Sequence, residues 1–384
     1  DAARLGVRVL GSMHDVSREA WDALVGDDSP FLEWDWLAAL EEAGTVDSTT
    51  GWLPQHLTLW EGDRLVGACP LYVKAHSLGE FVFDQGWATA AARARIAYYP
   101  KLLAAVPFTP VTGGRLLARA ADVGTMRAIL AAVLENLCGE RGFSSVHVNF
   151  CRADEVEALA GRGWLRRTGY QYHWRNEGYG TFDDYLASLR GKRRNQVQRE
   201  RRELETKGIE IRTHAGDAIG AELGPAMYRL YRTTIDGLPW GQRYLNQRFF
   251  ELAIERVRHR LCLVLARQGG EIVAGTFNVR KGGVLYGRYW GTLRYVRHLH
   301  FNVCYYAAIE HCIHEGLTRF EPGAGGEFKH LRGFDATPTE SMHWIHDRRL
   351  RAAVRDYLEN EREAVSDEIE WYDERTSLKR DRNR

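Results

Sequence analysis

RFEPGAGGEFKHLRGF, residues 319–334, is the stretch from which the rest of the chain is best read. Leu317 and Phe320 make an apolar, strand-like approach to Pro322. Gly323, Gly325 and Gly326 follow, and Glu327, Lys329, His330 and Arg332 then arrive within six residues. Glycine lets a backbone turn sharply and lets another group come close to it. A carboxylate, an ammonium, an imidazole and a guanidinium just past such a bend can handle protons and bind anions; a turn with solvated charges is the plainer alternative. The stretch is not a P-loop, because Phe328 stands where a glycine must precede the lysine. Upstream, residues 301–315 read as a helix and 318–321 as a strand, so the bend follows a helix–strand unit.

Further upstream lies a hairpin: residues 261–267, a turn at Gly269-Gly270, and residues 271–280, with a third strand, 284–291, carrying LYGRYWG. The first half repeats this order. Residues 56–60 and 64–74 are strands about a Glu61-Gly62-Asp63 turn, and RLVGA (64–68) sits where EIVAG (271–275) sits in the second hairpin. Each hairpin is followed by a helix and another strand, so an internal repeat of a mixed α/β domain is the economical reading. Ser17 is expected to cap one helix, Ser29-Pro30 to open another, and Thr181 with Asp184 to form a near capping box. Residues 122–140 read as a helix, 144–150 and 164–174 as strands, and 84–115 as irregular. Residues 190–202 form a helix with seven basic side chains and only Val197 and Leu204 as an apolar stripe.

The chain has 384 residues, long for one core, so two domains are expected. A net charge of +1 gives no global attraction to nucleic acid; any such role rests on a local patch. The six cysteines are scattered without CxxC spacing, which suits a reducing cytoplasm. Cys304, Cys312, His311 and His314 lie near one another but lack full ligand spacing, so no metal is expected. No apolar run approaches membrane-spanning length, and no signal-peptide core stands at the start.

Five segments together resemble the FemAB-like branch of the GNAT superfamily, the group known as peptidoglycan biosynthesis or recognition proteins. They are YYPKLLAAVPFTPVTGGR (98–115), QYHWRNEGYGTFDDYL (171–186), LRGKRRNQVQRERREL (189–204), LYGRYWG (285–291) and LHFNVCYYAAIEHCIHEGLTRFEPGAGGEFKHLRGF (299–334). The resemblance implies an α/β (α+β) chain of two tandem GNAT-like domains, with mixed, mainly antiparallel sheets flanked by helices. Expected bounds are 1–175, then 176–350 with the active site, then a charged helical tail, 351–384. It also implies acyl or aminoacyl transfer to an amine, as in the Fem enzymes that use aminoacyl-tRNA. The chain departs from the family pattern at Asn302, usually Glu, at Gly325 and Phe328, usually Gln and His, and in a proline displaced to Pro338. These departures suggest an altered acceptor or a changed base.

Amide formation needs a neutral amine, a positioned carbonyl and a stabilised oxyanion. Glu327 is the first candidate base, with a surface ion pair to Lys329 or Arg332 as its alternative role. Lys329 is the candidate for the oxyanion or leaving oxygen, and Tyr289 completes the catalytic set. Asp84, Tyr99, Arg288, Trp290, Asn302 and Arg332 are expected to bind substrate. Strand alternation puts Arg288 and Tyr289 on opposite faces, so only one is expected to face the cleft. Coenzyme A in this fold sits on a basic–x–x–Gly–x–Gly/Ala turn, whereas residues 291–300 are basic but lack glycine after Gly291. That argues against tightly bound acetyl-CoA. Arg294 and Arg297, with Lys192, Arg193, Arg194, Arg199 and Arg202 of the basic helix, are expected to meet phosphates of tRNA. The alternative for the helix is a solvated face with cations paired to Glu200, Glu203 and Glu205. The expectation is therefore a cytoplasmic aminoacyltransferase with no tightly bound cofactor, aminoacyl-tRNA as co-substrate and a small-molecule or peptide amine as acceptor. Acyl-CoA as donor, or a non-catalytic binding role, are the alternatives.

Overall fold

Both hairpins form, and each is bulged at the same place. In the computed structural model, which describes residues 5–238 and 241–379, Leu59 pairs with Gly67 and Trp60 with Leu65, leaving Val66 as the extra residue. In the second hairpin Ala266 pairs with Ala274 and Arg267 with Ile272, leaving Val273. A bulge adds local twist and re-aims the strand, so the repeat seen as RLVGA and EIVAG extends to backbone geometry.

Contacts divide the chain into two units: residues 1–169 with 338–366, and residues 170–337 with 367–384. The first unit has an antiparallel sheet in the order Leu5–Leu10, His56–Glu61, Arg64–Cys69, Leu117–Ala118. Its second group of strands runs in the order Trp52–Pro54, Leu71–Lys74, Lys101–Ala104, Ser145–Cys151 and residues 338–345. Only Lys101–Ala104 and Ser145–Cys151 are parallel. The return strand expected over 64–74 is thus two strands in two sheets. Pro70 separates them, because proline has no N–H for the ladder. The expectation of an irregular 84–115 is also corrected: Gln85–Arg93 is a helix and Lys101–Ala104 a strand. Alanine-rich sequence favours that helix although only Trp87 and Ala91 are buried. Met126, Leu130, Leu134 and Cys138 of the helix Val123–Glu140 are buried in this unit's core.

The second unit's strands run in the order Ile209–Ala215, Leu261–Gln268, Glu271–Lys281, Val284–Thr292, Arg319–Glu321 and residues 170–175. All neighbours are antiparallel except Val284–Thr292 with Arg319–Glu321. Thr181 and Asp184 form the capping box of the helix Phe182–Ser188. The basic helix is Gly191–Glu205, and Leu223–Asp236 and Gln247–Val257 follow. The helical segment between the parallel strands begins at Leu299, widens into a π turn over Asn302–Tyr306 and ends as Ala307–His314. Ile309, Cys312, Phe320 and Phe334 are fully buried in its core, at roughly 1.5–3 kcal/mol for each large apolar side chain. The helix Arg348–Glu374 follows the last strand, and residues 380–384 of the expected tail lie outside the described residues. Among the described residues no helix is long and apolar enough to cross a membrane.

Candidate active site

In the second unit the two parallel strands pair for only three residues, Val284 with Arg319, Leu285 with Phe320 and Tyr286 with Glu321. Then they part. Phe277 pairs with Tyr289 and Asn278 with Gly287, so Arg288 is the extra residue of a bulge. Beyond it, helix hydroxyls hold the strand: Thr234 Oγ1 donates to the Trp290 carbonyl at 2.7 Å, and the Thr292 N–H donates to Thr233 Oγ1 at 3.1 Å. Gly291 makes this possible, since a Cβ there falls 1.8 Å from the Leu230 carbonyl oxygen. Crevices beyond the carboxyl ends of parallel strands are where such sheets bind ligands. The bulge also corrects the expectation that Arg288 and Tyr289 face apart. The Arg288 guanidinium lies 5.3 Å from the centre of the Tyr289 ring, which packs on Tyr231, Phe250 and Phe277.

The other strand runs into the glycine bend. Gly323, Gly325 and Gly326 have φ of 94°, 72° and 87°, a region other residues rarely adopt. The bend feeds a 3-10 helix, Glu327–Arg332, which turns Lys329 inward. Lys329 is 3% exposed, and its Nζ donates to the Gly323 carbonyl at 2.7 Å. Among the described residues it has no carboxylate partner. Burial pulls its pKa down to about 8. Around it stand Cys304 and His300, whose ring lies 4.4 Å from that of Trp290. Burial, with the charges of Lys329 and Arg332, lowers His300 to about 4 and keeps it neutral. Glu327 is exposed and makes none of the expected ion pairs among the described residues.

Arg332 is tied inward instead. Its Nη2 contacts both Glu200 oxygens at 3.1 Å, its Nε donates to the Tyr306 hydroxyl at 2.7 Å, and its guanidinium stacks 3.6 Å from the centre of Phe301. Tyr306 also hydrogen-bonds Glu200, and Asn302 Nδ2 donates to the Glu200 and His298 carbonyls at 3.1 and 3.0 Å. Burial alone raises the Glu200 pKa, but the bonds from Tyr306 and Gln196 and the Arg332 charge outweigh it and hold it low. Glu200 is the third buried residue of the basic helix, beside Val197 and Leu204. A groove of about 540 Å³ reaches Asn302 and Tyr306 from between the basic helix and the edge strand Ile209–Ala215.

Two residues that sequence reading passed over lie where the strands part. Glu321 is 5% exposed, and burial raises it to about 7 against the Arg319 and Arg175 charges. Its Oε1 is 2.9 Å from Arg319 Nε, and its Oε2 is 3.8 Å from His173 Nε2. That nitrogen is buried without a hydrogen bond. Burial, then the Arg319, Arg175 and Lys329 charges, lowers His173 to about 3, so Lys329 is an electrostatic neighbour of this imidazole. A carboxylate directly before Pro322 at a strand end was the available signal.

The structure thus brings together Trp290, Asn302, Lys329 and Arg332, and sets Arg288 beside Tyr289. Asp84 and Tyr99 belong to a separate buried cluster in the first unit. Asp84 accepts from Lys101 and from the Tyr98 hydroxyl, and Tyr99 bonds Ser77 at 2.7 Å. The parallel pair of that unit has no comparable open bend. Residues 105–111 beyond it are buried, and so is Arg115, whose guanidinium donates to the carbonyls of Asn149, Val111 and Gly114 at 2.8–3.1 Å.

The cations of the basic helix are almost all unpaired. Arg201 meets Glu310 at 3.2 Å, but among the described residues Lys192, Arg193, Arg194, Arg199 and Arg202 have no carboxylate partner. Glu203 turns to His298 at 3.4 Å, and Glu200 is buried. The alternative of a helix laced with its own ion pairs is therefore absent among the described residues. Arg294 and Arg297 are exposed and unpaired on the turn after Thr292. Among the described residues no group of three or more His, Cys, Asp or Glu is placed to hold a metal.

The sequence matches the FemAB-like family, described as peptidoglycan biosynthesis/recognition, over residues 12–380. No curated protein sequence is a significant match. Among solved structures, FemX is 12% identical, with 88% of this chain and 98% of that one covered and a TM-score of 0.55. L-PGS from Bacillus licheniformis is 10% identical over 91% and 98%, with a TM-score of 0.52. The C-terminal domain of a putative lysylphosphatidylglycerol synthetase from Agrobacterium fabrum is 9% identical over 88% and 95%, with a TM-score of 0.50. The fold is the expected one, tandem GNAT-like units with mixed, mainly antiparallel sheets flanked by helices.

Proposed function

We propose that this chain, which belongs to the FemAB-like family, is an amide-forming acyltransferase that moves an aminoacyl group from aminoacyl-tRNA to the amine of a small molecule or peptide. One observation carries the reading: Lys329 is a buried cation without a counter-charge among the described residues, set at a glycine bend where two parallel strands part. An unpaired buried charge costs stability and is retained where chemistry uses it. In the reaction the acceptor amine attacks the ester carbonyl, and the ammonium of Lys329 stabilises the oxyanion that develops. The C–N bond forms, the C–O bond to the carrier ribose breaks, and the amine proton passes by way of a base to the leaving oxygen. Glu327, exposed at the lip of the bend, and Glu321, buried where the strands part, are the candidate bases. The raised pKa of about 7 favours Glu321, since a base works best near the ambient pH. Arg332 holds the bend to the basic helix through the Glu200 carboxylate, and Asn302 ties the π turn to the same helix through the Glu200 carbonyl, while Arg288, Tyr289 and Trp290 lie on the opposing strand.

The donor assignment rests on charge. Five cations on one helix that have no carboxylate partner among the described residues suit a phosphate backbone. The position at the helix start where this fold holds the coenzyme A pyrophosphate lacks a glycine turn, and His298 there faces the carboxylates of Glu200 and Glu203, which disfavours a pyrophosphate at that point while leaving Arg294 and Arg297 on the preceding turn open to phosphate. The family description, peptidoglycan biosynthesis/recognition, accords with an acceptor amine of peptide type. Incubation with a mixed charged-tRNA pool and cell extract, read by mass spectrometry, tests this. New amides that disappear with Lys329→Met are expected. Turnover with acetyl-CoA and none with charged tRNA overturns the donor assignment.

A further inference from the structure

We infer that the turn at residues 293–297 is a nucleotide clamp, in which Tyr295 stacks on the terminal adenine of the donor while Arg294 and Arg297 hold its phosphates. The inference rests on the reading of this unit as a transferase with a carrier-bound donor. Both carriers in question, tRNA and coenzyme A, present an adenine next to phosphate. Tyr295 is 89% exposed, the highest value among the exposed large apolar side chains of the described residues. Its ring has no aromatic or hydrogen-bonding partner among the described residues. A single exposed aromatic residue is ordinary; its setting here is not.

The turn is fixed. The Leu293 N–H donates to the Val273 carbonyl at 2.8 Å, Thr292 Oγ1 donates to the Arg294 carbonyl at 2.6 Å, and the Leu299 N–H donates to the Val296 carbonyl at 3.1 Å. Tyr295 is therefore held out into solvent by an ordered backbone. Arg294 and Arg297 are exposed and have no carboxylate partner among the described residues. Cations about an aromatic platform are the combination that binds single-stranded nucleotides, through stacking and phosphate contact together. The turn also continues the strand that carries Trp290, whose ring meets His300 beside Lys329. Tyr295 lies five positions from Trp290, a reach of at most roughly 18 Å.

The test compares the unaltered chain with Tyr295→Ala, Tyr295→Phe and Arg294→Ala plus Arg297→Ala. The probes are uncharged tRNA, the same tRNA lacking its 3′-terminal adenosine, and acetyl-CoA. Tyr295→Ala is expected to weaken tRNA binding about tenfold and Tyr295→Phe to leave it near wild type. Removing the terminal adenosine is expected to erase the difference between wild type and Tyr295→Ala. The same loss seen with acetyl-CoA and not with tRNA keeps the clamp and reassigns the donor. Wild-type affinity of Tyr295→Ala for both probes overturns the clamp; if Lys329-dependent transfer persists in that variant, the transferase reading survives. Adenosine-dependent binding that needs Tyr295, with no turnover by any donor, keeps the clamp and rejects the transferase.

Discussion

The carboxylate of Glu200, on the basic helix, accepts from the guanidinium of Arg332, which closes the glycine bend; both contacts are 3.1 Å and the residues are 132 positions apart. A carrier that settles on the helix cations is thereby registered against the bend that holds Lys329. Glu200→Gln leaves a buried guanidinium without its counter-charge. It is expected to lower stability by about 3 kcal/mol. The double variant Glu200→Gln plus Arg332→Met is expected to recover part of that loss in urea unfolding. An unchanged midpoint for Glu200→Gln alone would refute the coupling.

Lys329→Met should separate function from stability. Removing a preorganised oxyanion donor costs on the order of a hundred- to a thousandfold in rate. The fall of the lysine pKa from 10.5 to about 8 corresponds to roughly 3 kcal/mol of burial cost. The variant is thus expected to be inactive and to melt at or above the wild-type temperature. Loss of activity together with marked destabilisation would make Lys329 a structural residue.

The pH profile should be narrow. Glu321 acts deprotonated, so the rate rises as pH climbs through about 7; Lys329 acts protonated, so it falls beyond about 8. His300 and His173, at about 4 and 3, stay neutral across this window and add no limb. Glu321→Gln should lower the rate and remove the acid limb, whereas Glu327→Gln should keep it. In stability the sign for Glu321 is opposite. Its folded pKa lies above the ordinary 4.5, so its favourable contribution is complete below pH 4.5 and is lost as pH rises through about 7.

Charge reversal at Lys192, Arg199 and Arg202 touches exposed side chains with no carboxylate partner among the described residues. The fold should be unaffected by circular dichroism. Affinity for tRNA should drop, and the slope of log K against log salt should shrink by about one for each phosphate contact removed. A slope equal to wild type would place the carrier elsewhere.

Gly291→Ala forces a methyl group into the Leu230 backbone. The strand must then leave the helix that holds it, at a cost of about 3 kcal/mol or more. Thermal unfolding and loss of transfer should change together. A variant that keeps its melting temperature would mean the parted strands are not held by this contact.

Much of the architecture was legible in local sequence. Alternation and turn residues marked both hairpins, Thr181 and Asp184 marked their helix start, and glycines marked a bend that needs left-handed backbone. Each of these depends on a few adjacent residues. The helix Gln85–Arg93 was missed because its inward face holds only Trp87 and Ala91. The Arg288 bulge was missed because a bulge is defined by the partner strand.

By itself, then, the chain's order of residues determined which segments are strands, helices and bends, and which charges surround the bend. Only the tertiary structure decided which charges are buried and which remain in water. Glu200 looked like one acid among many on a solvated helix, yet it is buried on Arg332, while Glu327, the expected base, stands in solvent. Burial is the largest single influence on the pKa of both Glu321 and Lys329. The fold's packing sets that burial, while the neighbour Arg319 and the distant Arg175 only temper the shift of Glu321.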